Sequence, residues 1–275
     1  MRVVLIGAGN LATSLGPALR SAGHEVVCVF SRTLTAARQL AALTGGMATD
    51  DAGMLPPDAD LYIMAVKDSV LPQLIPVVTK GRAERLFVHT AGSMPMSLFA
   101  GSAAHYGVLY PMQTFSKQRR VSFADIPTFL EASDPASLGV LRQVAESITS
   151  RVYELDSDRR KYLHLAAVFA CNFTNHCYAL SASVLEQQGI PFDVMLPLID
   201  ETARKVHAMA PREAQTGPAV RYDENVIAMQ SALLADERLR ELYELLSRSI
   251  HDLTLKTPQY DQIRPNENPR HHLRP

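Results

Sequence analysis

The chain is short of three things that would fix its class at once: cysteine, charge of one sign, and long apolar runs. Its three cysteines are Cys28, Cys171 and Cys177. An odd number without zinc-like spacing argues against a disulfide framework, and Cys28 sits in an apolar, strand-like run. Reduced thiols in a cytoplasmic setting are therefore expected. The 27 Lys and Arg nearly balance the 28 Asp and Glu, leaving a formal net charge of -1. That balance gives no footprint for nucleic acid or for an anionic membrane surface, so any basic groups that matter must act locally. No uninterrupted apolar run reaches the roughly 18 residues of a membrane span. The longest candidate, 163–185, is interrupted by Asn172, Asn175 and His176. Met1 to Gly9 pass straight into a strand, without a charged leader or cleavage site, so no signal peptide is expected. Internal repeats and low-complexity segments are missing. The His and carboxylate residues show no ligand spacing, so no metal is expected.

What is present is a chain of 275 residues, 47% hydrophobic, which is enough for two packed cores. The first 156 residues alternate short apolar runs with helical ones. Strands are predicted at Arg2–Ile6, Glu25–Phe30, 61–66, Leu86–His89, 107–110, 128–131 and 151–155. Helices are predicted at 10–22, 33–43 and 135–150. Near-continuous apolar strands between helices argue for a doubly wound, mainly parallel α/β sheet. From 157 to 256 only helical patterns remain. One long helix is predicted from about 158 to 188, a second from Pro191 to about Met209, and two more at 225–235 and 237–255, around an irregular stretch at 212–222. The tail, 257–275, reads as extended and carries His271 and His272 as surface residues.

The sharpest local signal is Gly7-Ala8-Gly9-Asn10-Leu11-Ala12. It follows an apolar strand, opens a helix and precedes a second strand at βαβ spacing, the context a dinucleotide turn requires. Gly7 permits the tight turn, Gly9 lets the backbone approach a diphosphate, and Ala12 keeps the helix close to the sheet. The helix N-terminus then offers unpaired N–H groups and a positive dipole end. The second strand ends Phe30-Ser31-Arg32-Thr33. No carboxylate stands where an NAD site places one for the ribose 2′-hydroxyl. A guanidinium and two hydroxyls suit a 2′-phosphate instead, so the expected cofactor is NADP(H). Ala65 and Val66 end another strand, where small side chains would let the dinucleotide pass.

Chemistry in the second half is carried by the long helix. At 100° per residue Lys161, His164, Asn172, Asn175 and His176 share about a third of its circumference. The remainder is apolar, which predicts a buried helix whose polar stripe faces either a satisfied network or a wet cleft. His164 is the candidate proton donor and Asn172 the candidate anchor for a carbonyl or amide oxygen. Lys161 reads as solvated. Two loops that follow strands, His89-Thr90-Ala91-Gly92-Ser93 and Tyr110-Pro111-Met112-Gln113-Thr114-Phe115, are candidate cleft linings through His89, Ser93 and Gln113. Thr216 and Arg221 are further candidates in the irregular stretch. There Arg221 would meet a substrate carboxylate or, more simply, pair with Asp223 or Glu224.

Taken together, GAGNLA, SRT, HTAGS, YPMQTF, HLAAVFACNF and TGPAVRYD resemble the Rossmann-like NADP oxidoreductases that carry a C-terminal domain of unknown function. The likeness runs to about Leu255. That family is similar to pyrroline-5-carboxylate reductase, to deazaflavin-dependent NADP reductases and, more distantly, to 6-phosphogluconate dehydrogenase. The resemblance implies a helical C-terminal domain that builds a homodimer. It also implies cofactor contacts at Gly7, Gly9, Ala12, Ser31 and Arg32, with His89, Ser93, Gln113, His164, Asn172, Thr216 and Arg221 around the cleft. Two departures stand out. TGPAVRYD is not the Ser/Thr-rich glycine loop of pyrroline-5-carboxylate reductase. The Lys-x-x-x-Asn pair of β-hydroxyacid dehydrogenases is missing, since Leu165 follows Lys161 at that spacing. The expected function is NADP(H)-dependent hydride transfer to a small carbonyl or imine. A β-hydroxyacid-type dehydrogenase and a non-catalytic NADP-binding sensor are the alternatives.

Overall fold

A computed structural model describes residues 1–256, and the predicted tail with His271 and His272 lies outside them. The first compact unit, Met1–His176, is built on one eight-stranded sheet. Its strands are β1 (Arg2–Ile6), β2 (Glu25–Phe30), β3 (Met47–Thr49), β4 (Leu61–Met64), β5 (Leu86–His89), β6 (His105–Pro111), β7 (Thr128–Ala132) and β8 (Val152–Glu154). The spatial order is β3-β2-β1-β4-β5-β6-β7-β8. Every neighbouring pair is parallel except β6 and β7.

Helices cover both faces of the sheet, which is why its central strands are apolar throughout. Val3 and Leu5 of β1 join one core with α1 (Asn10–Ser21), α2 (Leu34–Thr44) and α4 (Pro135–Ile148). Val4 and Ile6 join the opposite core, under α3 (Leu71–Thr79), where the Tyr62 and Phe87 rings stack at 4.5 Å. The alternation is that of a strand buried on both sides. The chain leaves β1 toward β2 and β3, then returns to place β4 on the other side of β1. That reversal of direction opens a crevice at the carboxyl ends of β1 and β4, where ligands of such sheets bind.

The predicted elements are present, with three differences. Two were not expected at all. β3 is only three residues long, just after Gly45-Gly46. α3 carries Pro72 and Pro76, which read as breakers; Pro72 sits in the first turn, where its missing N–H costs nothing. The third is the long helix. It is α5 (Ser157–Ala167), a π-helical turn at Val168–Phe173, and α6 (Thr174–Glu186). Nor is it buried all round: Tyr162 and Phe169 are 68% and 63% exposed, and Leu165 and Phe173 lie open too. Its apolar residues at 162, 165, 169 and 173 form an exposed row, while Arg160 is buried and Leu163 and His164 are half-buried.

The second unit begins at Cys177, inside this helical run, whereas the sequence changes character at 156. Beyond α6 it holds α7 (Leu196–Ala208), two single turns α8 (Pro211–Ala214) and α9 (Pro218–Arg221), α10 (Glu224–Ala232) and α11 (Glu237–Leu255). Asp223 and Asp236 cap α10 and α11 by accepting from Val226 N and Leu239 N. Among the described residues no helix is long and apolar enough to cross a membrane.

Candidate cofactor and proton-donor site

The turn after β1 is held by backbone. Gly7 N donates to Phe30 O at 2.7 Å and Ala65 N donates to Ile6 O at 2.7 Å, so the ends of β1, β2 and β4 are tied together. Gly7 has φ +111°, and a Cβ there would lie 2.3 Å from Ala65 O. The fold itself requires this glycine. Gly9 is different. Its φ is -85°, and the nearest atom to an added Cβ is Ala65 O at 3.9 Å. Nothing in the protein demands a glycine there, and the space above it is open. No side chain caps α1, and its first turn holds no acidic residue, so the N–H groups of Asn10, Leu11 and Ala12 face that space unpaired by any cap. Ser31 N donates to Thr49 O at 3.0 Å, which fixes the end of β2 against β3. Arg32 and Thr33 are exposed, and Arg32 makes no ion pair among the described residues. Ala65 and Val66 are half-buried beside the turn. A diphosphate over Gly9 and a phosphomonoester beside Arg32 fit this arrangement.

Three strands away, the carboxyl end of β6 opens on a pocket of about 570 Å³. Tyr110, Met112, Gln113 and Phe115 line it from the β6 end, and His164, Val168, Cys171 and Asn172 from α5 and the π turn. The Tyr110 hydroxyl and His164 Nδ1 are 3.1 Å apart. Gly92, in the loop after β5, lies against both: a Cβ there would be 2.5 Å from His164 Nδ1 and 2.8 Å from Tyr110 Cζ. Burial pushes the Tyr110 phenol up, against the pull of the Arg160 guanidinium, so it carries its proton at neutral pH.

A buried network holds this pocket in shape. Arg160 is 1% exposed and one helical turn before His164. It donates to Glu131 Oε2 at 2.5 Å, to Met94 O at 2.6 Å and to Ser157 Oγ at 3.1 Å. Ser157 Oγ in turn donates to Glu131 Oε2 at 2.6 Å and accepts from Met96 N at 3.0 Å. One guanidinium thus ties α5, β7 and the loop after β5. The sequence marks Tyr110 only as the first residue of a candidate cleft loop and does not mark Arg160 at all, since His164 lies far from the one, and Glu131 and Met94 far from the other, along the chain.

Of the residues singled out from the sequence, the structure brings Gln113, His164 and Asn172 to one pocket. His89 is elsewhere. It is fully buried, faces Pro95 O with Nε2 at 3.3 Å, and accepts from Ala91 N with Nδ1 at 3.2 Å. Burial, and then the Arg160 charge, lower its pKa to about 4. It shapes the loop rather than lining a cleft. Ser93 is exposed and donates to Asp68 Oδ2. Lys161 pairs with Asp158 at 2.9 Å on the surface. Asn175 and His176 are exposed. Thr216 and Arg221 belong to the second unit and are exposed there; the ion pair of Arg221 with Asp223 or Glu224 does not form.

A glycine turn at the switch point of a doubly wound sheet, together with a hydrogen-bonded Tyr–His pair in a pocket at the carboxyl end of a strand, is an arrangement suited to a dinucleotide-dependent oxidoreductase. Residues 2–92 match the family described as NADP oxidoreductase, coenzyme F420-dependent, and residues 126–250 match a domain of unknown function, DUF2520. The chain is 55% identical to a provisionally named NADP oxidoreductase from Bacteroides fragilis, with a TM-score of 0.88 over 91% of this chain and 98% of that one. The chain belongs to this NADP oxidoreductase family. At 17% identity the fold extends to an imine reductase from Myxococcus stipitatus in complex with NADP+ (TM-score 0.66, over 92% of this chain and 93% of that one). It extends, less closely, to a pyrroline-5-carboxylate reductase from Coxiella burnetii (17% identity, TM-score 0.57, over 92% of this chain and 96% of that one). No curated protein matches the chain.

Proposed function

We propose that the chain is an NADP(H)-dependent reductase that adds a hydride and a proton to a small carbonyl or imine compound. The observation that carries this reading is the Tyr110–His164 pair, set in a pocket three strands from an open glycine turn. At about 5 Å per strand, that spacing suits a cofactor whose diphosphate and reactive ring lie at opposite ends of one ligand. Asn10, Leu11 and Ala12 would receive the diphosphate, and Ser31, Arg32 and Thr33 the 2′-phosphate. The likeness to reductases named for C=N substrates supports an imine as the acceptor.

Bound NADPH would supply the hydride to the carbon of the C=O or C=N bond. The protein must then supply one proton to the oxygen or nitrogen. The Tyr110 hydroxyl gives up its proton to that atom. His164, in the tautomer with hydrogen on Nδ1, donates to the Tyr110 oxygen and replaces the proton lost. Two electrons and two hydrogens are thereby accounted for. The Asn172 and Gln113 amides would orient the substrate, and the apolar wall from Met112, Phe115 and Val168 would exclude water. The exposed row at Tyr162, Leu165, Phe169 and Phe173 supports a second copy of the chain as partner.

The test is turnover of NADPH with a panel of imines and carbonyls. Tyr110→Phe and His164→Ala should each lower kcat by about 10²- to 10⁴-fold while the Kd for NADPH stays within about twofold. Tight NADPH binding with no turnover of any compound, in wild type as in variants, would replace this reading with that of a cofactor sensor.

A further inference from the structure

Between β6 and β7 the chain runs past α1 and α2, and there it carries a cluster of basic residues whose purpose is not packing. Phe115 and Phe123 stack at 5.7 Å, and Phe123 and Ile126 are buried in the same core as Leu15 and Leu40. Phe115 and Val121 pack against that core as well. The strap between them is thus pinned at both ends, and Ser116 Oγ accepts from Arg119 N at 3.3 Å to turn it. What the pinned strap displays is Lys117-Gln118-Arg119-Arg120, all exposed. None of its three cations makes an ion pair among the described residues.

Lys117 and Arg120 close a cavity of about 210 Å³ whose other walls include Ala8 of the glycine turn, Thr13 of α1, and Ala36 and Gln39 of α2. No carboxylate lines it. The first turns of α1 and α2 hold no acidic residue either. The α2 wall runs on through Leu40 to Leu43, so the cavity follows the length of that helix and opens beside the first turn of α1. Two cations beside that positive helix end raise the local potential, and an anion between them would relieve it. In a chain whose overall charge is -1, this is a local excess of one sign.

We infer that Lys117 and Arg120 form a basic strap that binds a phosphoryl group of the dinucleotide. This rests on the cofactor reading above and adds to it: the phosphate is gripped from two directions, by the turn after β1 and by a strap that enters from the other end of the sheet. The strap begins four residues after Gln113 with Lys117, so the segment that grips phosphate is continuous with the one that lines the substrate pocket.

Binding of NADPH and NADH to the full chain at several salt concentrations tests it. The variants are Lys117→Met/Arg120→Gln, which removes charge, and Lys117→Arg/Arg120→Lys, which keeps it. The neutral pair should weaken NADPH by about tenfold or more and flatten the salt dependence, and the charge-keeping pair should restore both. A loss confined to NADPH identifies the 2′-phosphate; an equal loss for NADH identifies the diphosphate; either upholds the strap. Wild-type affinity and salt dependence in the neutral pair would overturn it and leave the cofactor reading intact. Failure of wild type itself to bind either dinucleotide would overturn both.

Discussion

At the carboxyl end of β1 the chain presents backbone; at the carboxyl end of β6 it presents side chains. The first region is six consecutive residues, Gly7 to Ala12, where two side chains are missing to effect, Gly7 for the fold and Gly9 for the space above it. The second is assembled from Tyr110, His164 and Gly92, which come from β6, α5 and the loop after β5, and Arg160 supports it by tying α5 to that loop and to β7, the neighbour of β6. A backbone site tolerates change anywhere except at its own atoms. A side-chain site fails when any of its supports moves.

The largest effects should separate the two glycines of the turn. Gly9→Val should fold normally, with a Tm within a few degrees of wild type, yet lose binding of both dinucleotides by more than about 10³-fold, because its side chain has room in the protein and none beneath a diphosphate. Gly7→Ala should instead lower the Tm, because its Cβ meets Ala65 O at 2.3 Å and its φ is +111°. Equal thermal stability of the two variants would break the distinction. At the second region, Gly92→Ala should lower kcat by about 10²-fold with little change in NADPH affinity, since its Cβ displaces the His164–Tyr110 pair. Unchanged kcat would show that the pair is not the proton donor.

A further effect, on stability rather than turnover, concerns the loop after β5. His89 has a pKa of about 4 in the folded chain, against about 6.5 when unfolded. Between those values the unfolded chain binds more protons. The stability His89 contributes is therefore complete above about pH 6.5 and is lost as the pH falls toward 4, by about 3 kcal/mol. His89→Asn keeps an acceptor for Ala91 N without a titrating ring, so urea melts from pH 7 to 4.5 should show that part of the slope gone. An unchanged slope would mean that the ring is protonated in the folded chain.

The same contrast explains what could be read from the sequence. The turn after β1 and the end of β2 were legible because each is a run of neighbours in sequence following an apolar strand. The sheet was legible for the same reason, apart from β3, too short for a pattern, and α3, disguised by two prolines that the helix accommodates. His164, Asn172 and Gln113 were singled out by residue type, and the structure places them on one pocket. Tyr110 was read only as part of its loop and Arg160 not at all, since their contacts lie 54 residues apart in one case and 29 and 66 in the other. His89 looked like a cleft residue because it ends a strand beside glycine and serine, and burial decided otherwise. The helix after 157 read as regular and buried. Its π turn alters the 100° step, and its apolar row faces outward in the single chain.

Side-by-side calorimetric titration of wild-type protein with NADPH and NADH tests the central claim most directly. Micromolar or tighter NADPH with NADH at least about tenfold weaker is the predicted result, because the end of β2 offers Arg32 and no carboxylate. NADH binding as tightly as NADPH, or neither binding, would contradict it.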